Sequence, residues 1–249
     1  MKLDRVIAIR NTKTIYRDGD RCVKVFNGNY SKVDILNEAL GQARVEEMGL
    51  HVPKILEVTT IEGKWAIVSE FIKGKTLAQL MQENLDKKPE YLEQFVDIQL
   101  TIHAKTCPLL NRLQDKLDHQ INRADLDTAT RDALQTKLTE MPKHNKVCHG
   151  DFNPSNIVIS EDNTPYILDW SHVTQGNASA DAAETYLLFR LNGDMDSAQA
   201  YLDLYCQMSH TEKRYVQQWL SIVAAAQSVK GNKTKREFLL SWVAAMNDK

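Results

Sequence analysis

The stretch His149-Gly150-Asp151-Phe152-Asn153-Pro154-Ser155-Asn156, followed later by Leu168-Asp169-Trp170, decides how the rest of this chain is read. Asp151 and Asn156 stand five positions apart, and Asp169 follows Asp151 by eighteen. Lys146-Val147-Cys148 before the stretch is a short strand-like run. Ile157-Val158-Ile159 and Tyr166-Ile167-Leu168 after it are two more, parted by the turn residues Glu161-Asp162-Asn163-Thr164-Pro165. The pattern is strand, polar loop, strand, turn, strand, with Asp169 at the end of the last strand. A ribbon of this kind holds the side chains of the loop close to Asp169. Two carboxylates and a carboxamide are thereby expected in one small volume.

Such a volume suits phosphoryl transfer. The transferred group carries concentrated negative charge, so the chemistry needs Mg²⁺ across the phosphate oxygens and a carboxylate to receive the proton of the acceptor hydroxyl. Mg²⁺ takes hard oxygen ligands and few carboxylates from protein. Asp169 and the amide oxygen of Asn156 are therefore the candidate metal ligands, and Asp151 the candidate base. The kinase catalytic loop has the same Asp-to-Asn interval and a metal-binding Asp later in the chain.

At these residues the chain resembles the aminoglycoside phosphotransferase and choline kinase-like family, the small-molecule branch of the protein-kinase fold. The resemblance rests on HGDxxxxN, here His149 to Asn156, and on the strand ending Leu168-Asp169-Trp170. It extends from about Val6 to about Phe189. It implies an α+β, two-lobed kinase-like fold: an N-terminal lobe, 1–73, with a five-stranded antiparallel sheet and one helix, and a larger, mainly helical C-terminal lobe, 74–249. It also implies ATP and Mg²⁺ as cofactors and a small-molecule alcohol as acceptor.

The first third fits that outline. Val6–Ile9, Ile15–Arg17 and Cys22–Phe26 read as strands, with a hairpin turn at Asp18-Gly19-Asp20. Alternation puts Lys24 on one face with Cys22 and Phe26. Ser31 and Gly49 bracket a helix whose apolar stripe is Ile35, Leu36, Ala39, Leu40 and Ala43, with Glu38 at its edge. Glu38 is placed to pair with Lys24 and hold it toward nucleotide phosphates, as in kinases. Glu46 is the rival, disfavoured by its place near the helix C-terminus.

Lys54–Thr60 and Trp65–Ile72 form a hairpin around Glu62-Gly63 and complete the sheet. Its end, Ser69-Glu70-Phe71-Ile72, resembles the hinge of the family, where adenine would meet the Ser69 carbonyl and the Phe71 amide, or Ile72 if the register slips by one. One departure stands out. Kinases cover the phosphates with a glycine-rich loop, whereas Arg10-Asn11-Thr12-Lys13-Thr14 has no glycine. Either Thr12, Thr14 or the Lys13 ammonium substitute as donors, or these residues form a solvated turn. The gap also supports a second reading, a nucleotide-binding regulatory module without efficient transfer.

Helical spacing continues through Thr76–Leu85, Glu90–Ala104, part of Asp125–Met141, and four terminal helices at Ala182–Leu191, Asp196–Gln207, Thr211–Val229 and Lys235–Met246. His103 and His149 are read as structural anchors, and Asp181 as a helix cap or a brace for the catalytic loop. Between Asp169 and Asp181 there is no APE motif, and Gly150 stands where protein kinases carry Arg, so a polypeptide acceptor is disfavoured. Trp170, Tyr186, Tyr201, Tyr205, Trp219 and Trp242 are either core residues or a cage for a quaternary ammonium.

Bulk properties agree with this reading. The chain of 249 residues has a net charge of −2, which offers no electrostatic footprint for nucleic acid or an anionic membrane. No apolar run reaches membrane-span length. Cys22, Cys107, Cys148 and Cys206 are scattered, as expected of buried free thiols in a reducing cytoplasm.

Overall fold

Short strands joined by tight turns come first, and their pairing follows the turns. The computed structural model describes residues 3, 5–10, 12–28 and 30–247, so Asn11 of the glycine-free connection lies outside it. β1 (Arg5–Ile9), β2 (Lys13–Asp18), β3 (Arg21–Phe26), β4 (Ile55–Ile61) and β5 (Lys64–Glu70) make one antiparallel sheet in the order β1-β2-β3-β5-β4. The β4–β5 hairpin turns on Glu62 and Gly63, both at positive φ (50° and 76°). Two positive φ values in succession match the right-handed twist of the flanking strands.

Between β3 and β4 lies α1 (Lys32–Glu47). Ser31 caps it, its side chain accepting from the Asp34 amide at 3.1 Å, and Gly49 at φ 73° ends it. The buried face is not the expected stripe. Ile35, Glu38, Ala39, Gly41, Gln42 and Val45 point inward, while Leu36 and Leu40 are 42% and 47% exposed. The helix is turned because its polar and small residues have inward partners. Gln42 donates to the Pro53 carbonyl at 2.7 Å. Gly41 lets the Trp170–Val173 segment come so near that a Cβ there would stand 2.9 Å from Val173 Cγ1. Phe26, Ile35, Ala39 and Ile67 form the core between α1 and the sheet.

The chain continues through β6 (Gly74–Thr76), α2 (Leu77–Glu83), α3 (Lys88–His103), α4 (Leu113–Arg123), α5 (Thr128–Glu140), β7 (Lys146–Cys148), β8 (Ile157–Ser160), β9 (Pro165–Ile167) and β10 (Thr174–Gly176). It ends with α6 (Ala178–Leu191), α7 (Met195–Ser209), α8 (Lys213–Gln227) and α9 (Lys233–Asn247). These elements pack as two compact units, Met1–Glu83 with Pro154–Val173, and Asn84–Asn153 with Thr174–Lys249. The expected division at 73/74 runs along the chain; packing carries the first unit on through β6 and α2 and adds the β8–β9 hairpin. The reason is a second sheet, β6-β8-β9, in which Gly74 lies so close to Ile159 that a Cβ would sit 2.1 Å from its carbonyl oxygen.

The second unit is helical, with β7 and β10 as one short antiparallel pair. Expected helices appear with shifted ends, and α4 is an addition. Its segment is mostly polar, and its apolar residues Leu113, Leu117 and Ile121 recur every fourth position as one narrow buried stripe. Trp170, Tyr201 and Tyr205 are fully buried, and Tyr186 and Trp219 nearly so, which makes them core rather than cage. Trp242 stands 5.1 Å from the Arg190 guanidinium, which therefore already takes a ring face. The cysteines are free thiols, Cys107 and Cys148 buried, Cys22 and Cys206 half-buried. Among the described residues no helix is long and apolar enough to cross a membrane.

Candidate active site

Strand alternation and cross-strand register assemble a charge cluster in the first unit. Ile15 pairs with Lys24 and Lys13 with Phe26, so Lys13 and Lys24 are diagonal neighbours on one face of β2 and β3. That face carries Phe26 and packs on α1, whose buried Glu38 meets the Lys24 ammonium at 2.5 Å. Asp169 approaches from beyond β9: its Oδ1 is 3.4 Å from Lys24 Nζ, and its two oxygens are 3.1 and 3.2 Å from Lys13 Nζ. Burial alone would push the Lys24 ammonium down, but Asp169 and then Glu38 outweigh it, so its pKa rises. Lys24, Glu38 and Asp169 are thus brought together as expected, and Glu46 is only half-buried at the other end of the helix. Lys13 is the addition: read from sequence as one of three substitute donors, it is 9% exposed and bound to a candidate metal ligand.

The β8–β9 hairpin positions the two candidate metal ligands. Asn156 precedes β8 and Asp169 follows β9; the Leu168 amide closes the base by donating to the Asn156 carbonyl at 2.7 Å. Asp169 sits at φ 57°, a conformation uncommon for a side-chain-bearing residue, and one that tends to mark functional positions. Trp170, fully buried, fixes the turn by donating from Nε1 to the Ile167 carbonyl at 3.0 Å. Among the described residues no three His, Cys, Asp or Glu are arranged to hold a metal ion. One carboxylate and one carboxamide still fit Mg²⁺, which takes most of its remaining oxygens from phosphates and water.

At the hinge the outcome differs from expectation. The Phe71 amide donates to the Asp20 carbonyl at 2.9 Å, and Ser69 lies within the sheet opposite Cys22 and Ile55. The Phe71 amide is therefore spent on extending the β3–β5 pairing. Arg17 covers the Phe71 ring at 4.2 Å. The Glu70 amide turns to the other side and donates to the Lys54 carbonyl, and the Glu70 carbonyl accepts from the Ser69 hydroxyl at 3.4 Å.

In the second unit the loop that begins HGD is held at every residue. Gly150 adopts φ 75°, open to glycine at little cost, and its amide donates to Asp181 Oδ1 at 2.7 Å. An Arg at that position would be strained. His149 is fully buried, and its Nδ1 accepts the Asp151 amide at 3.2 Å, so it anchors the loop. Phe152 stacks on Phe95 at 4.4 Å, and its carbonyl accepts from Thr185. Asn153, which the sequence reading passed over, donates to the carbonyl of Asp151 at 3.0 Å and to its Oδ1 at 3.4 Å. The contact is the Asn153 carboxamide reaching back two residues, which no turn motif in the sequence signals.

Asp181 is a brace and not a cap; Asn177 caps α6 by accepting from the Ser179 amide. Besides Gly150, Asp181 receives His103 at 2.9 Å and Gln99 at 3.3 Å. Burial alone would push its carboxyl up, but the His103 hydrogen bond, the attraction of His103 and His149, and the Gly150 amide hold it at about 2. One turn later Glu184 goes the other way. Burial dominates there, the charges of Asp181 and Asp151 add to it, and its pKa is pushed up to about 8 against the pull of Lys116 and Lys230. Lys230, read from sequence as part of a solvated loop, is half-buried, and burial followed by Lys116 pushes its pKa down.

Known proteins set this arrangement in context. A model of the phosphotransferase enzyme family matches residues 9–219, beyond the Phe189 limit of the resemblance. A search of curated proteins finds no match in sequence. Solved structures share the fold. A choline/ethanolamine kinase family protein from Mesorhizobium loti superposes with a TM-score of 0.67 at 15% identity, over 100% of this chain and 89% of its own. The choline kinase LicA from Streptococcus pneumoniae gives 0.68 at 14% identity, over 98% and 94%. A thermostable mutant of the aminoglycoside phosphotransferase APH(4)-Ia, in ternary complex with AMP-PNP and hygromycin B, gives 0.70 at 14%, over 97% and 92%. With the family model spanning most of its length and the signature residues standing in place, the chain belongs to the phosphotransferase enzyme family.

Proposed function

We propose that this protein transfers the γ-phosphate of ATP, with Mg²⁺, to a hydroxyl group of a small molecule. The observation that carries the reading is the Lys24–Glu38–Asp169 cluster, a cationic amine tethered by a buried acid beside a half-exposed carboxylate. Lys24, fixed by Glu38, holds phosphate oxygens. Asp169 and Asn156 hold the metal, which when bound spreads the charge of the phosphates and positions them. Asp151, kept in place by Asn153 and the His149 anchor, orients the acceptor hydroxyl and takes its proton. Adenine pairs with the Glu70 carbonyl and the Ile72 amide, one residue along from the Ser69–Phe71 register, because the Phe71 amide is engaged. Related structures that hold AMP-PNP or AMP support the nucleotide. Choline is the acceptor least supported, since the aromatic residues available for a cage are packed in the core or covered by Arg190.

Asp151→Asn keeps the shape of the loop and removes the base. ADP release, screened against polyols, amino alcohols, nucleosides and aminoglycosides, is expected to fall by about 10²-fold or more, with ATP affinity within a few fold of wild type. Loss of ATP binding in the variant would refute the assignment of Asp151. A wild-type protein that binds ATP but releases ADP with none of these acceptors would favour the regulatory reading raised by the glycine-free connection.

A further inference from the structure

Kinases keep the β1–β2 connection bare; here the backbone on either side of it is bonded. The Lys13 carbonyl accepts the Arg10 amide at 2.8 Å, and the Thr12 carbonyl accepts the Asn27 amide at 2.9 Å. Those bonds spend backbone groups on the sheet and send the Lys13 side chain inward, where only 11% of it is exposed. There it makes a two-oxygen contact with Asp169, at 3.1 and 3.2 Å, while Lys24 takes Glu38. Two lysines at diagonal cross-strand positions repel each other, so this pairing is maintained only with two acids between them.

Two features set the Lys13–Asp169 contact apart from a structural ion pair. It is the wet edge of the cluster: the Asp169 side chain is 28% exposed against 3% for Glu38. The cluster is also incompletely used, because the buried Glu38 Oε2 has no hydrogen-bond partner among the described residues. A contact of this kind exchanges partners readily. The partner nearest in chemistry to a carboxylate, with the same affinity for an ammonium, is a phosphate oxygen.

We propose that Lys13 is a nucleotide-positioning residue: its ammonium rests on both oxygens of Asp169 until the nucleotide binds, then passes to the phosphates and leaves Asp169 to the metal. The side chain thereby does what a glycine-rich backbone does in other kinases, which accounts for the missing glycines. The inference rests on the ATP- and Mg²⁺-dependent reading above. It has a consequence that a structural role lacks, since removing the ammonium should move nucleotide and metal affinity in opposite directions.

The test uses the full chain and its Lys13→Met and Lys13→Arg variants, with thermal melts to confirm folding and Lys13→Gln as the second neutral variant if Lys13→Met does not fold. ATP titrated calorimetrically in EDTA is expected to bind the neutral variant about tenfold more weakly or worse, with Lys13→Arg near wild type. Mn²⁺ without nucleotide, followed by its electron paramagnetic resonance signal, is expected to bind the neutral variant more tightly than wild type. An unchanged ATP affinity, or a Mn²⁺ affinity that is unchanged or weaker, overturns the proposal. A wild-type protein that binds no ATP at all overturns it together with the reading on which it rests, and is told apart by that first titration.

Discussion

Two acids, one in each unit, solve the same electrostatic problem in opposite ways. Asp169 sits at a left-handed turn, part-exposed, and its partners are the ends of two lysine side chains. Asp181 is 2% exposed on α6, and its partners are a backbone amide, an imidazole and a carboxamide, each fixed by other contacts. His103 is held on its far side by Tyr205, and Gln99 by Tyr201 at 2.6 Å. Flexible ammonium partners of an acid can give way to a metal ion. Fixed dipoles cannot, and they lock the geometry they bind. The nature of the partner, together with the depth of burial, sets the two acids apart.

Asp169→Ala tests the first half of that contrast and carries the largest expected effect. ADP release should fall by about 10²-fold or more, and the Mg²⁺ dependence of ATP binding should disappear. Unfolding free energy should change less than turnover, because Asp169 is the most exposed member of the cluster and Glu38 stays beside both lysines. An unchanged Mg²⁺ dependence, read by titrating ATP with and without the ion, would remove Asp169 from the metal site.

Asp181→Ala is the opposite case. It leaves the Gly150 amide, Gln99 and His103 buried without their acceptor, and stability measured by urea unfolding should drop by about 3–5 kcal/mol. Turnover should suffer through the loop that carries Asp151, whereas ATP affinity should hold in the folded fraction. If the two alanine variants lost stability to the same extent, the distinction between tradeable and fixed partners would fail.

Much of this was legible in the sequence because it rests on short-range rules. Alternation put Lys24 on the face of Phe26, the Ser31 and Gly49 signals bounded α1, and the spacing of Asp151, Asn156 and Asp169 marked the loop and the hairpin. What escaped is set by tertiary packing. The rotation of α1 depends on Gly41 meeting Val173 and on Gln42 meeting Pro53, neither of which leaves a periodic trace. The pairing of the Phe71 amide with the Asp20 carbonyl, just past the end of β5, likewise leaves no periodic trace. The inward place of Lys13 escaped for the same reason: the sequence left it between a substitute donor and a solvated turn, and only the register across β2 and β3 points it inward.

Glu184 sharpens the comparison within a single helix, and with the smallest expected effect. It stands one turn after Asp181 and is likewise buried, yet burial raises its pKa to about 8, whereas Asp181 is held at about 2. Asp181 is met by three donors; Glu184 receives Gln227 at 2.6 Å. The consequences for pH are opposite. Asp181 stabilises the fold above about pH 4, the range in which an unfolded Asp is ionised, and that contribution is lost as pH falls through about 2. Glu184 keeps a proton that the unfolded chain releases near pH 4.3, so its contribution is complete below that point and declines as pH rises through about 8. Glu184→Gln retains the shape and the hydrogen bond to Gln227 but has no proton to lose. Its stability in urea should match wild type near pH 5 and exceed it by roughly 2 kcal/mol at pH 6.5, the gap widening up to about pH 8. Parallel curves across that range would mean that Glu184 is ionised in the native protein. Lys116 and Lys230 would then be acting on it as Lys13 and Lys24 act on Asp169, and the second unit would hold a tradeable acid of its own.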